Sequence, residues 1–184
     1  MKYETGKYYH VYNRGAHKQK IFLNSENYRF CLHLFRKYSA QYHVSILAYC
    51  LMPNHYHLLL KQNELGSISK FIQVVFNSYS QSFNKVTGHS GTLFQGRCKG
   101  IEVDSDEYAI QLCRYIHINP VAAKMVRTPN EWLHSDYQDW INRSDGDQEK
   151  MTLRNRYFGS AEAYEKFISE NTDDDFEAKY RIDS

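Results

Sequence analysis

The stretch M-P-N-H-Y-H-L-L-L, residues 52–60, decides the fold of this chain. It follows V-S-I-L-A-Y-C-L at residues 44–51, an apolar run whose β-branched and aromatic side chains are typical of a buried strand. Pro53 and Asn54 predict a tight turn, because proline presets one backbone angle and asparagine tolerates unusual ones. The segment therefore predicts a hairpin of two strands, at about residues 44–52 and 55–62.

The second strand of this hairpin carries two histidines at positions i and i+2. Alternation along a strand places His55 and His57 on one face and Tyr56 on the other. Two imidazoles side by side on a stiff strand can bind one metal ion from two directions. Two hydrogen-bonded histidines on a half-exposed strand would give the same pattern, so both interpretations remain open at this point.

The rest of the chain supplies the elements around the hairpin. Polar and glycine-rich signals bound each segment, and apolar side chains recur at strand or helix spacing. We predict a strand at 7–15, helices at 25–41 and from Gly66-Ser67 to about 86, a fourth strand within 93–103, and a helix from Glu107 to about Asn119 that stops near Pro120. The order predicts an α+β fold, a ferredoxin-like β-α-β-β-α-β sandwich with an antiparallel sheet, helices on one face and an extra C-terminal helix.

Charge divides the chain into two parts. Residues 1–142 carry 16 Lys and Arg against 10 Asp and Glu, and residues 143–184 carry 7 against 11. A basic body with an acidic end is typical of proteins that meet polyanions. We therefore predict a catalytic domain at 1–142 and a linker with an acidic C-terminal extension at 143–184.

The extension is predicted in three pieces. Residues 142–150 resemble a polar linker, 161–169 a short helix, and 173–175 an acidic end. The extension could lie over the basic surface and compete with a bound polyanion, or it could be a solvated tail.

Several classes of protein are disfavoured by composition. The sequence has no run of eighteen apolar residues and no apolar signal segment near residue 1, so we expect a cytoplasmic, nucleoid-associated protein. The four cysteines are scattered without a C-x-x-C pair, which predicts reduced thiols rather than a disulfide framework or a zinc cluster.

The last predicted core helix carries a second candidate pair. Tyr115 and Asn119 are four residues apart, so a helix places them on one face. If that face packs over His55 and His57, a phenol and an amide oxygen join two imidazoles. Such a set can carry out nucleophilic chemistry on a phosphate, with the metal as Lewis acid and the phenolate as nucleophile.

These motifs together resemble the REP-associated tyrosine transposases, relatives of the single-tyrosine HUH transposases. The resemblance rests on M-P-N-H-Y-H-L-L-L, on G-T-L-F-Q-G-R at 91–97 and on R-Y-I-H-I-N-P-V-A-A at 114–123. Weaker blocks are Y-N-R-G at 12–15 and E-W-L-H-S at 131–135, and the similarity covers about residues 7–140.

The resemblance implies a metal-dependent enzyme that nicks single-stranded DNA. It implies a 5′-phosphotyrosine on Tyr115, a free 3′-hydroxyl, a palindromic hairpin as target, and His55 and His57 as metal ligands. Asn119 matches the position of a third ligand, but a residue before proline disfavours helical geometry, so ligand and helix cap both remain open. His117 is assigned a structural role because it points away from the Tyr115 face. The ligand set suits Mg²⁺ or Mn²⁺.

Cations and amides near the motifs are the predicted DNA contacts, because single-stranded DNA is bound through its phosphates. We favour Arg14 and Arg97 among them. The full predicted DNA-binding set is Asn13, Arg14, Lys18, Lys20, Arg97, Lys99 and Arg114.

Two other functions are compatible with the same residues. One is a DNA-hairpin binding protein with little or no catalytic activity, and the other is an H-x-H metallohydrolase that acts on something other than DNA. The sequence leaves open a monomer or a homodimer.

Overall fold

The computed structural model of the chain describes residues 2–142 and 148–170. The boundaries of the predicted strands and helices agree with the structure to within a few residues, whereas the helices at 137–141 and 148–158 were not predicted. The strands are β1 (Tyr8–Arg14), β2 (Val44–Leu51), β3 (His55–Gln62) and β4 (Lys99–Val103). The helices are α1 (Ser25–Gln41), α2 (Ile68–Thr87), α3 (Asp106–Ala122), α4 (Tyr137–Ile141), α5 (Gln148–Phe158) and α6 (Ala161–Ser169).

The four strands form one antiparallel sheet in the order β2-β3-β1-β4. This order is that of the split β-α-β plan, in which β3 inserts between β2 and β1. The histidine strand is therefore central, with hydrogen-bonded neighbours on both sides. Its position leaves the two histidines little freedom to move.

The predicted turn at Pro53-Asn54 accepts backbone hydrogen bonds from the segment that connects β1 and α1. The carbonyl of Pro53 accepts hydrogen bonds from the amides of Ile21 and Phe22, at 2.7 and 3.0 Å. The carbonyl of Asn54 accepts from the amide of Gly15 at 2.7 Å. A Cβ on Gly15 would lie 2.1 Å from the carbonyl oxygen of Gln19, so only glycine fits there.

Helices cover both faces of the sheet, although the two helices of the β-α-β-β-α-β plan, α1 and α2, lie on one face as predicted. One core lies between the sheet and helices α1 and α2, around side chains such as Tyr9, Tyr56 and Phe71. The other lies between the sheet and α3 with the C-terminal helices, around side chains such as Leu59 and Leu112. The reason is α3, which packs over the second face and buries it.

Helix α3 is buried on all sides over most of its length. Residues 112–120 are nine consecutive buried positions, which is typical of a helix enclosed between two layers. The helix continues through Pro120 and ends at Ala122, two residues beyond the predicted end near Pro120. Pro120 has no amide hydrogen for the carbonyl of Ile116, and the helix continues past it through the bond from the amide of Ala123 to the carbonyl of Asn119 at 3.0 Å.

The C-terminal segment is packed against the domain wherever the structure describes it. Residues 148–150 begin α5 instead of continuing the predicted linker, and Leu153 on α5 is buried. The predicted helix at 161–169 is confirmed as α6, with Tyr164 and Ile168 buried in the second core. The remainder of the linker, 143–147, and the acidic end at 173–175 lie outside the described residues.

A buried polar network joins this segment to α3. His117 on α3 contacts the hydroxyl of Tyr164 through Nδ1 at 2.6 Å and Oδ1 of Asp136 through Nε2 at 3.0 Å. Asp136 also accepts a hydrogen bond from the amide of Tyr49 at 2.6 Å and forms an ion pair with Lys150 at 2.7 Å. These contacts tie α3, β2, α5 and α6 together, which is the structural role predicted for His117.

The cysteines fit the predicted reduced state. All four are free, and burial raises the pKa of Cys31, Cys50 and Cys113 above the ordinary range, which favours the thiol form. Among the residues that the structure describes, no helix has the length and apolarity to cross a membrane.

We predict that Asp136→Asn destabilises the protein by about 3 to 5 kcal/mol, because it removes the buried counter-charge of Lys150 and leaves only the half-exposed Asp139. Burial by itself would raise the pKa of Asp136, but Lys150 and His117 lower it below its ordinary 3.8. The carboxylate therefore stabilises the fold above that pH, and this contribution is lost as the pH falls through the lowered pKa. Urea unfolding at a series of pH values measures the free energy of unfolding of both proteins. The difference between the variant and the wild type should become smaller below about pH 4.

The matched control is Asp139→Asn. Asp139 forms an ion pair with the same Lys150 at 3.1 Å, but its side chain is 52% exposed. Exposed pairs contribute little, so we expect a loss below about 1 kcal/mol. Equal losses in the two variants would contradict the assignment of Asp136 as the centre of the network.

Candidate active site

The two histidines of β3 face α3. Side chains at odd positions of this strand, His55, His57 and Leu59, point to the second core, and even positions such as Tyr56 point to the first. Both imidazoles are buried, with 1% and 0% of their surface exposed. Their ring centres are 5.1 Å apart, and the ring planes are nearly perpendicular.

Tyr115 and Asn119 meet these histidines from the opposite layer. The hydroxyl of Tyr115 lies 3.4 Å from Nε2 of His57, and Oδ1 of Asn119 lies 3.2 Å from Nε2 of His55. The helix brings them to the same side because they are one turn apart. The structure thus brings together all four residues of the predicted catalytic set.

The backbone around Asn119 tests the prediction that this residue caps the helix. Asn119 is helical, and its carbonyl accepts a hydrogen bond from the amide of Ala123 at 3.0 Å. Ala123 is the residue that caps the helix, and the side chain of Asn119 contacts His55 instead. The helix-cap interpretation is therefore wrong, and its amide oxygen stands at the site.

Each of the two histidines has a polar partner at Nδ1, on the side of the ring away from α3. Nδ1 of His55 lies 2.7 Å from Oδ1 of Asn54, and Nδ1 of His57 lies 2.9 Å from Nε2 of His10. In consequence both Nε2 atoms are turned toward α3. Sequence reasoning missed His10, although alternation along Y-Y-H-V-Y-N-R at 8–14 puts it on the same face as Tyr12 and Arg14.

The electrostatics of the site favour neutral imidazoles. Burial lowers the pKa of His10 to about 3. Burial, with smaller contributions from His10 and His55, lowers the pKa of His57 well below its ordinary value. A neutral imidazole offers the lone pair that a metal needs, so the site is prepared for a cation.

The donor atoms fit a divalent cation with substrate oxygens. Two imidazole nitrogens and one amide oxygen converge, and Mg²⁺ or Mn²⁺ can complete its coordination with phosphate oxygens and water. Over residues 2–142 and 148–170, no group of three His, Cys, Asp or Glu side chains could hold a metal. A cation bound here would therefore need Asn119 and substrate oxygens in addition to the two histidines.

Three of the predicted DNA contacts lie beside this site. Arg14 is paired in register with His55, and it lines a surface groove of about 600 Å³ together with His17 and Lys18. Lys99 is paired with Tyr12, and its ammonium group lies 5.8 Å from the centre of that ring.

The other predicted contacts are placed differently. Arg97 is exposed, but it lines a cavity of about 640 Å³ on the α2 side of the sheet, and Asn13 lines the same cavity while donating to the carbonyl of Gly96. Lys20 is exposed in the connection between β1 and α1. Arg114 is only 6% exposed and its guanidinium lies 5.3 Å from the ring centre of Phe167, so little of its surface is available to a phosphate.

Comparison with known proteins gives a family and a fold. The family model described as "Transposase IS200 like" matches residues 4–119. A REP-associated tyrosine transposase bound to a REP hairpin superposes with a TM-score of 0.64 at 17% identity, covering 80% of this chain and 90% of that chain. A candidate transposase from Deinococcus radiodurans R1 gives a TM-score of 0.46 at 19% identity, over 63% of this chain and 92% of that one. Among curated proteins no match is found.

We predict that the four-residue site binds Mn²⁺ through its imidazoles. His57→Ala should weaken binding at least about tenfold, or about 1.4 kcal/mol, because it removes one of two nitrogen ligands. Titration followed by the electron paramagnetic resonance of free Mn²⁺ measures this directly.

The control is His33→Ala, which removes an exposed histidine from α1 on the other side of the sheet. It should leave Mn²⁺ affinity unchanged. If His33→Ala and His57→Ala weaken binding equally, the metal assignment fails.

Proposed function

Because this chain belongs to the IS200-like transposase family, we propose that it nicks single-stranded DNA and transfers the cut strand through a 5′-phosphotyrosine on Tyr115. One observation carries the proposal. The hydroxyl of Tyr115 lies 3.4 Å from Nε2 of His57, so a nucleophile faces the nitrogen of a candidate metal ligand. A phosphodiester bound to a cation on His57 would therefore lie close to the attacking hydroxyl of Tyr115, with the cation as its electrostatic stabiliser.

Tyr115 would attack the scissile phosphorus in line. A bond forms between its phenolic oxygen and phosphorus, the bond from phosphorus to the 3′ oxygen breaks, and the phenolic proton is lost while the departing oxygen gains one. The strand then carries a free 3′-hydroxyl. Because the phosphodiester energy is kept in the phosphotyrosine, another 3′-hydroxyl can reverse the step and join a different strand.

The chain's own residues would hold the cation and the phosphate in register. His55, His57 and Asn119 would bind Mg²⁺ or Mn²⁺, which as a Lewis acid supplies stabilisation of the negative charge that develops on the phosphate. The central position of β3 and the enclosed position of α3 keep these three residues from moving apart. Their preorganisation lowers the cost of reaching the transition state.

The proposed substrate is a hairpin formed by a palindromic repeat. The solved REP-associated tyrosine transposase shares this fold and is bound to a REP hairpin, which supports placing this chain in the REP-associated branch. Tyr115 and His57 of one chain are already in contact, which supports a monomer that cuts with its own tyrosine.

A hairpin-binding protein with little activity is the second candidate. The burial of Tyr115 and Asn119, 6% and 8% exposed, favours it because a phosphate needs access to both groups. The two functions differ in one product, the covalent adduct between protein and DNA.

We predict that the wild type forms this adduct with a labelled single-stranded hairpin in the presence of Mn²⁺, and that Tyr115→Phe does not. Removal of the phenolic oxygen removes the nucleophile, so the adduct should fall by at least about 10³-fold, more than 4 kcal/mol of transition-state stabilisation. Denaturing electrophoresis of the labelled reaction measures it.

The matched control is Tyr108→Phe, which makes the same change on the same helix, outside the four-residue site. It should form the adduct at the wild-type rate. Tight hairpin binding by the wild type without any adduct would replace the proposed activity with the binding function.

We also predict that Arg14→Ala and Arg97→Ala each weaken binding to the hairpin and flatten its salt dependence. Each lost phosphate contact should reduce the slope of log K against log salt concentration by about 0.7 to 0.9. Fluorescence anisotropy at several salt concentrations gives the slope.

Arg29→Ala serves as the control for both, because Arg29 is an exposed arginine on α1. Its slope should equal that of the wild type. A wild-type slope in Arg14→Ala would remove the groove beside His55 from the DNA interface.

A further inference from the structure

The two candidate metal ligands have outer partners of different chemistry. His55 is backed by the amide oxygen of Asn54 at 2.7 Å, and His57 is backed by the imidazole of His10 at 2.9 Å. In both cases the contact is made by Nδ1, and Nε2 faces the site.

The proton on each ring decides whether that ring can bind a metal. A neutral imidazole carries one proton, and the nitrogen without it is the ligand. Two oxygens that can only accept face His55, Oδ1 of Asn54 at 2.7 Å from Nδ1 and Oδ1 of Asn119 at 3.2 Å from Nε2. The shorter contact favours a proton on Nδ1, and Nε2 of His55 then keeps the lone pair that a metal needs.

The partnership of His57 and His10 allows two arrangements. In the first, Nδ1–H of His57 donates to Nε2 of His10, and Nε2 of His57 keeps its lone pair. In the second, Nε2–H of His10 donates to Nδ1 of His57, and Nε2 of His57 carries the proton. Only the first arrangement can bind a cation at Nε2, because the second presents a hydrogen atom to it.

We propose that His10 is a positioning residue that accepts the proton of His57 Nδ1–H and so holds Nε2 of His57 as a metal donor. This inference rests on the proposed role of His57 as a ligand. Outer hydrogen bonds of this kind fix the tautomer and orientation of metal-binding histidines, and their loss costs about 10- to 100-fold in metal affinity.

The location of His10 suits this role. It lies in β1, paired in register with Leu59, which is two residues from His57 on the neighbouring central strand. Both histidines are 0% exposed, so bulk water cannot act as the alternative acceptor. The sheet fixes both backbones, which keeps the nitrogen–nitrogen contact in place.

The test measures the tautomer before it measures any activity. In protein with ¹⁵N-labelled histidine and no added metal, long-range ¹H–¹⁵N correlation distinguishes a protonated Nδ1 from a protonated Nε2. The resonances of His57 are assigned by their absence from His57→Ala. We expect Nδ1–H in the wild type, and a wild type with Nε2–H would overturn the proposal even if no variant folds.

Two substitutions then separate hydrogen bonding from packing. His10→Phe keeps a ring but removes the acceptor, so His57 should lose the Nδ1–H form and Mn²⁺ affinity should fall by about 10- to 100-fold. His10→Gln supplies an amide oxygen as acceptor and should restore the tautomer and most of the affinity. Tyr8→Phe, on the same face of the same strand, is the packing control and should change neither.

The outcomes distinguish this inference from the function on which it rests. Wild-type tautomer and affinity in His10→Phe would overturn it. Absence of DNA nicking, with the predicted tautomer and the predicted Mn²⁺ losses, would support His10 and overturn the strand-transfer function. Unchanged Mn²⁺ affinity in His57→Ala would overturn the role of His10 together with the metal site.

Discussion

The contact between α3 and the histidine face of β3 is the constraint on which this molecule depends. A four-stranded sheet with helices on one face would leave its other face exposed to solvent. In this protein that other face carries His55 and His57, and both are buried. Because α3 lies over it, the phenol of Tyr115 and the amide of Asn119 reach the two Nε2 atoms at 3.4 and 3.2 Å. The same contact closes the second core and assembles the candidate site.

The C-terminal segment packs on the side of α3 that faces away from the sheet and so keeps the helix in place. His117 turns to the opposite side of the helix from Tyr115 and joins Asp136 and Tyr164. Lys150 neutralises the buried carboxylate of Asp136. A segment that composition alone presents as a polar extension therefore supports the helix that carries the nucleophile.

The sequence predicted the elements and the four central residues because both follow local rules. Alternation in β3 puts His55 and His57 together, and helical spacing puts Tyr115 and Asn119 together. The packing of α5 against the second core could not be predicted, because α5 has few apolar residues. Two of its buried side chains, Lys150 and Arg154, are charged, and their partners, Asp136 and the carbonyl of Trp140, lie outside α5. The contact of His10 with His57 depends on the register of two strands, and the two histidines are 47 residues apart in the sequence, a separation that no local pattern covers.

Strand β1 shows how one short segment serves the core and the site at once. Its odd positions, Tyr9, Val11 and Asn13, face the first core or the cavity beside α2. Its even positions face the second core, where His10 contacts His57 and Arg14 is paired in register with His55. Since a shift of one residue would exchange the two faces, the register that buries Tyr9 and Val11 also delivers His10 to its partner. The free energy of core packing thus maintains the geometry of the site, and selection for a stable sheet is at the same time selection for an ordered pair of imidazoles.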